Sequence, residues 1–261
     1  MKTLSILTLS MLLFSSCQST PLSSLPPEDP EETVIQEIKE ESRYIDIPVE
    51  TKQVLRVTTK GWNEKTGELQ RFEKEDKEWK KVGHPITIIL GRNGLGWGMG
   101  LHTTPLDAKY IKKEGDGRAP AGLFRLGNAF GYQNFKINFP YKIYKRTDHC
   151  VDDSNSQFYN TIIDSNSVKK DYKSFEHMKL KNNLYKYGIT VQHNPDNIEM
   201  GGSCIFIHIK NNSGKGTAGC TAMKEQDITE ILKWLKEEKS PLLLQLTQDE
   251  LQKRVRDSRL K

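Results

Sequence analysis

The chain has 261 residues, a formal charge of +5, 28% charged residues and 35% hydrophobic ones. That length fits one domain of ordinary size with appendages, or two small domains. The balance excludes a collagen, a coiled coil or a wholly disordered chain, and four cysteines are too few for a disulfide-rich scaffold. Charge is unevenly spread: residues 18–50 hold nine acids against two bases, which leaves the body after residue 50 basic. A basic body suits a polyanion such as nucleic acid, acidic lipid or an anionic cell wall, and suits a plain solvated lysine-rich surface equally well.

The first 17 residues read as an address. Lys2 is followed by an apolar run from Leu4 to Phe14 and then by Ser15, Ser16 and Cys17. A basic start, a short apolar core and small residues before a cut site describe a secretory signal, over residues 1–16, whose core is too short to span a bilayer. Phe14-Ser15-Ser16-Cys17 resembles the bacterial lipobox, with Phe14 where Leu is usual. The resemblance implies lipidation of Cys17, hence an exported, membrane-anchored lipoprotein facing the periplasm or cell wall. Residues 17–51 then form the lipidated Cys and an acidic linker rich in Ser, Pro and Glu, which cannot bury enough apolar surface to offset its ordering entropy. A short exposed helix over 33–43 is the one element expected there.

From about residue 52 the pattern changes. Val54–Val57, Leu69–Phe72 and Ile86–Leu90 read as short strands, with further strands at 123–126, 142–144, 188–191, 204–209 and 242–246. Between them, 91–100 is a glycine-dense loop that has neither a phosphate-loop nor a dinucleotide spacing. It suits backbone turns or a floor where substrate lies close to the main chain. Ile228, Ile231, Leu232 and Leu235 fall at i, i+3, i+4, i+7 and predict a helix over about 225–236. The expected fold is mostly β (β-rich α+β), one sandwich or barrel domain with few helices over 52–247, followed by a charged tail, 248–261, as an exposed helix.

The chemistry-bearing residues lie late in the chain. Cys220 sits in the glycine-flanked turn Thr217-Ala218-Gly219-Cys220, just before the predicted helix, whose N-terminal amides would favour a thiolate and an oxyanion. His208, in an apolar strand pattern twelve residues upstream, is a candidate base. Spacing alone favours an ordinary buried Cys and a satisfied core His.

Cys204-Ile205-Phe206-Ile207-His208-Ile209 followed by Thr217-Ala218-Gly219-Cys220 resembles the signature of the L,D-transpeptidase catalytic domain (YkuD) family. The segment 114–124, ending Ala121-Gly122-Leu123-Phe124, resembles that family's Pro-x-Gly-x-Phe stretch. Cys150-Val151-Asp152-Asp153, Tyr159-Asn160 and His193-Asn194 resemble features of one of its branches. Departures are Ala218 and Ala222, where many members carry His and Arg or Asn, and a shorter His-to-Cys separation.

The resemblance implies cysteine-dependent acyl transfer on peptidoglycan stem peptides. Cys220 is the nucleophile, His208 the general base and acid, Gly219 an oxyanion amide and Thr217 the residue that orients the turn. His193, Asn194, Gly202 and Ser203 are expected to contact substrate, with support from behind the site or a plain polar turn before Pro195 also open for His193-Asn194. It implies no metal or organic cofactor, a stem peptide and a protein or amine acceptor as partners, and no nucleic acid.

Alternatives are L,D-carboxypeptidase trimming, a thiol hydrolase on wall peptides and a non-catalytic wall-binding lipoprotein. A zinc site from Cys204, His208, Cys220 and His193 has the wrong spacing for finger or ribbon patterns. Cys150 and Cys204 are either bridged, as an oxidising compartment permits, or two separate buried thiols. Asp152-Asp153 suits a turn cap or an amine contact.

Overall fold

The computed structural model describes residues 43–211 and 214–261. The expected signal, Cys17 and most of the acidic linker lie outside the described residues. Strands dominate. In chain order they are β1 (Gln53–Thr59), β2 (Thr66–Glu75), β3 (Glu78–Ile89), β4 (Leu95–Trp97), β5 (Ala119–Gly131), β6 (Tyr141–Ile143), β7 (Asp148–Val151), β8 (Ile162–Asp164), β9 (Phe175–His177), β10 (Tyr187–Val191), β11 (Phe206–Ile209), β12 (Thr221–Met223) and β13 (Leu242–Thr247). Two α-helices join them among the described residues: α1 (Glu225–Trp234) and α2 (Gln248–Arg254). The mostly β architecture read from the sequence is the one observed.

Hydrogen-bonded neighbours run β10-β11-β12-β3-β2-β1-β13-β5, and β5 pairs again with β10, which closes the sheet into a barrel. Closure removes the exposed edges that an open sheet would present. Its ladders are mixed: β1–β13 and β11–β12 are parallel, β1–β2 and β5–β13 antiparallel. The core is largely aliphatic and covers both faces of the sheet, with Val54, Leu55, Leu69, Ile88, Leu123 and Leu243 all fully buried. One polar bridge crosses it: Thr221 Oγ1 donates to Gln245 Oε1 at 2.9 Å, and Gln245 Nε2 donates to the Pro120 carbonyl at 2.8 Å. That bridge ties β12, the strand after Cys220, to β13 and β5.

A second, three-stranded sheet of order β8-β7-β9 is formed by 148–177. Helix α1 buries Ile228, Ile231 and Leu232, the stripe predicted, and lies against β10 and β11.

Both expected boundaries of the domain shift outward. Ile45, placed in the linker from sequence, is buried and pairs with Val255. The charged tail is not an exposed helix: α2 packs on β1 and β13, and Leu251, Val255 and Leu260 are buried. The apolar stripe there is too short to register among so many charges, and those charges are themselves engaged. Arg254, 3% exposed, stacks over Trp97 and pairs with Asp107 at 2.6 Å and with Glu250. Arg56 Nη1 donates to the Lys261 carbonyl at 2.9 Å. The glycine-dense loop is likewise packed rather than open. It contains β4, and a side chain at Gly98 would meet Pro120 at 2.7 Å and His193 at 2.9 Å. Its glycines admit the protein's own atoms, not a ligand's.

Leu251→Ala, in the supposed tail, should therefore cost about 3 kcal/mol, as a truncation within a packed core does. Urea unfolding of the variant against the parent chain measures it.

Candidate active site

His208 and Cys220 come together because β11 and β12 are parallel neighbours. Their register aligns Ile207 with Thr221 and His208 with Ala222, which places the turn carrying Cys220 at the same end of the ladder. Both line a cavity of about 230 Å³, together with Glu176, Tyr185, Lys210 and Thr217.

The thiol is held by backbone. The Phe206 N–H donates to Cys220 Sγ at 3.4 Å, and the thiol donates to the Cys204 carbonyl at 3.6 Å. Thr217 closes the turn by donating to the Cys220 carbonyl at 2.6 Å and accepting from the Gly219 N–H at 3.3 Å. Thr217 thus sits where a turn-orienting residue must. Gly219 does not sit as an oxyanion amide: its N–H is engaged by Thr217 Oγ1, and the residue does not line the cavity. Nor does a helix begin at Cys220, since β12 intervenes and α1 starts at Glu225. The thiol therefore lacks the helix-end electrostatics read from the sequence.

Burial, together with the Glu176 carboxylate, pushes the Cys220 thiol well up; the Phe206 amide and the Lys112 ammonium oppose them. Burial likewise lowers His208 to about 4, against the Ile209 carbonyl. That carbonyl lies 2.8 Å from Nδ1 and can only accept, so Nδ1 carries the proton and Nε2 keeps its lone pair in the neutral ring. The Tyr185 ring packs edge-on against the imidazole at 5.2 Å. At neutral pH the resting pair is a thiol and a neutral imidazole, not an ion pair.

The four residues expected to touch substrate are engaged with the protein's own groups. The Met99 N–H donates to His193 Nδ1 at 3.2 Å, and His193 Nε2 donates to the Gly201 carbonyl at 3.0 Å. Asn194, fully buried, bonds both the N–H and the carbonyl of Ile198 and the carbonyl of Gly202. Gly202 donates to the Tyr159 hydroxyl at 3.0 Å, and Ser203 Oγ donates to Glu114 Oε2 at 2.7 Å. None of the four lines the Cys220 cavity. They brace the 193–204 loop that delivers Cys204. Gly202 is required there: its φ is +99°, and a side chain would strike His193 at 2.9 Å. Their polar groups satisfy buried backbone, which sequence does not distinguish from ligand contact.

Asn160 completes the brace, accepting from the Cys204 N–H at 3.0 Å and donating to the carbonyls of His193 and Asn194. Cys204 is bridged to Cys150 with Cα atoms 6.0 Å apart, leaving Cys220 as the free cysteine among the described residues. The bridge takes Cys204 out of any zinc set. Asp153 caps a turn, accepting from the Asn155 and Lys173 amides.

Sequence reasoning missed Glu176, Tyr185 and Lys112. Lys112 is 4% exposed and pairs with Asp116 at 2.8 Å. Each reaches the site across the fold from a segment without a motif.

The β-barrel thus brings a buried thiol and a neutral imidazole to one small cavity. The chain belongs to the L,D-transpeptidase catalytic domain (YkuD) family, whose sequence model matches residues 42–244. No curated protein matches the chain. Among solved structures it is similar to Bd1075 of Bdellovibrio bacteriovorus, with 12% identity and TM-score 0.38 over 74% of this chain and 47% of that one. It is also similar to the helical cell shape determining protein Pgp2 of Campylobacter jejuni, with 13% identity and TM-score 0.38 over 82% and 54%. The chain spans about half the length of these two proteins.

Because the thiol's pKa is raised, alkylation of Cys220 by iodoacetamide should be slower at pH 7.5 than that of a free peptide thiol, and its rate should still be climbing at about pH 9. A plateau near pH 6 would mark a preformed thiolate–imidazolium pair and contradict the electrostatics above.

Proposed function

We propose that the protein is a thiol acyltransferase acting on peptidoglycan stem peptides, in keeping with its family's L,D-transpeptidase chemistry. The observation that carries this reading is the shared cavity of Cys220 and His208, with His208 held as the Nε2-basic tautomer. Because the resting thiol is neutral, proton transfer to His208 Nε2 accompanies attack rather than preceding it. Sulfur bonds to the carbonyl carbon of the diamino-acid residue of a tetrapeptide stem. The C–N bond to the terminal D-alanine then breaks, and the imidazolium returns its proton to the leaving amine. An amine of a second stem attacks the thioester, passes a proton through His208, and expels the thiol. With water in place of the amine, the product is a trimmed tripeptide. With Gly219 engaged in the turn, the reading relies on the Cys220 amide as oxyanion donor.

The lipobox-like Phe14–Cys17 stretch extends the proposal to place. A lipid on Cys17 and the linker after it would hold the domain near a membrane while allowing it to reach the wall.

Incubating the full chain with tetrapeptide-containing sacculi should give Cys220-dependent 3–3 dimers by mass spectrometry of the muropeptides, with Cys220→Ala inert. Tripeptides alone would assign trimming, and no thioester on Cys220 would favour a non-catalytic wall-binding role. Cys17→Ala should move the protein from the membrane to the soluble fraction; unchanged fractionation would refute the anchor.

A further inference from the structure

Of the charged side chains near the thiol, Lys112 has no task in the proposed acyl transfer. It is the one buried lysine among the described residues, 4% exposed, and a lysine is rarely buried without a partner. Its backbone N–H donates to the Trp97 carbonyl at 2.8 Å. Its ammonium donates to the Lys113 carbonyl at 2.6 Å and to Asp116 Oδ1 at 2.8 Å. Asp116 also accepts from the Lys113 and Arg118 amides, so its charge is shared among three donors. Two glycines mark where the lysine side chain ends. A Cβ at Gly202 would lie 3.3 Å from Lys112 Nζ, and one at Gly219 would lie 3.8 Å from its Cε. The cation therefore sits between the loop that leads to Cys204, whose carbonyl accepts from the thiol, and the turn that carries Cys220. It does not line the cavity, so it stands behind the sulfur rather than where a substrate would lie.

We propose that Lys112 is a positioning residue of the Cys220 thiol, whose ammonium, held behind the Gly219–Cys220 turn, stabilises the negative charge on sulfur as the S–H proton passes to His208 Nε2. The cavity side of the sulfur carries Glu176, Tyr185, His208, Lys210 and Lys215. Of these, the Glu176 carboxylate opposes a thiolate. Lys210 is half-buried and Lys215 exposed, so solvent and salt screen them. Lys112 is enclosed, and its field reaches the sulfur through a medium less polarisable than water; it acts against the burial that raises the thiol's pKa. Being fixed before any ligand arrives, it costs no reorganisation at the moment of proton transfer. Its use in turnover rests on the acyl-transfer reading above, whereas its effect on the sulfur does not.

The test is iodoacetamide alkylation of the full chain across a range of pH, followed at Cys220 by peptide mass spectrometry. Lys112→Met removes the ammonium and leaves the Asp116 charge behind, so it should slow alkylation about tenfold at each pH below the plateau, the effect of a rise of roughly one pKa unit. Adding Asp116→Asn takes that charge away too and should recover part of the lost rate. A merely structural role predicts the reverse, because the double variant also loses hydrogen bonds of the 113–118 turn. An unchanged profile in Lys112→Met, or a double variant no faster than the single one, would each overturn the proposal. If Lys112→Met does not fold, Lys112→Gln, which keeps a donor for Asp116 and loses the charge, is measured in its place with the same expectations. With a synthetic tetrapeptide, the single variant should lower kcat for thioester formation about tenfold and leave KM unchanged; a change confined to KM would also overturn the proposal. No thioester in the parent chain would reject acyl transfer, while the alkylation series would still decide the role of Lys112.

Discussion

The bridge between Cys150 and Cys204 is the constraint on which the site depends. It joins the small sheet to the end of the loop before β11, where the Cys204 carbonyl and the amide of Phe206, the first residue of β11, make the two backbone contacts of the Cys220 sulfur. One covalent link therefore sets the position of the thiol and of the sheet that bears Glu176. The three strands of the small sheet, three or four residues each, are short for independent stability, so the sheet depends on its attachments to the barrel. The hydrogen bonds of Asn160, Asn194 and Tyr159 give the loop one conformation, with Asn160, Asn194 and Cys204 all at positive φ. Such backbone persists only where surrounding contacts over-determine it.

The electrostatics follow from the same enclosure. Burial disfavours both charged forms, thiolate and imidazolium, so neither partner is ionised before a ligand arrives. A buried, backbone-tethered thiol is also protected from stray oxidation, which favours exposed thiolates. The arrangement gives up resting nucleophilicity for a sulfur held in one place by backbone.

Much of the barrel was legible in the sequence because its strands are β-branched and bounded by glycine or asparagine, and α1 because its apolar residues keep a strict 3.6 period. The small sheet was not, since three-residue strands such as Phe175–His177 give no period to read. The tail was misread for a related reason: Leu251 and Val255 lie among charges that fold inward as ion pairs. At the site, Cys220, His208 and Thr217 stood out by residue type and turn. The roles of His193, Asn194, Gly202 and Ser203 did not, because a polar side chain that satisfies buried backbone and one that awaits a ligand look alike in one dimension. Glu176 depends on β7–β9 register and on a bridge spanning 54 residues, and neither leaves a local trace.

The place of β1 has a mechanical meaning. The strand enters the domain just after Ile45 is clasped by Val255, and it lies between β2 and β13. Each neighbour is paired with it along six residue pairs. A pull on the chain ahead of the domain cannot peel this strand away one hydrogen bond at a time. It must slide β1 lengthwise against two ladders at once, so the load is shared in shear across β2, β1 and β13.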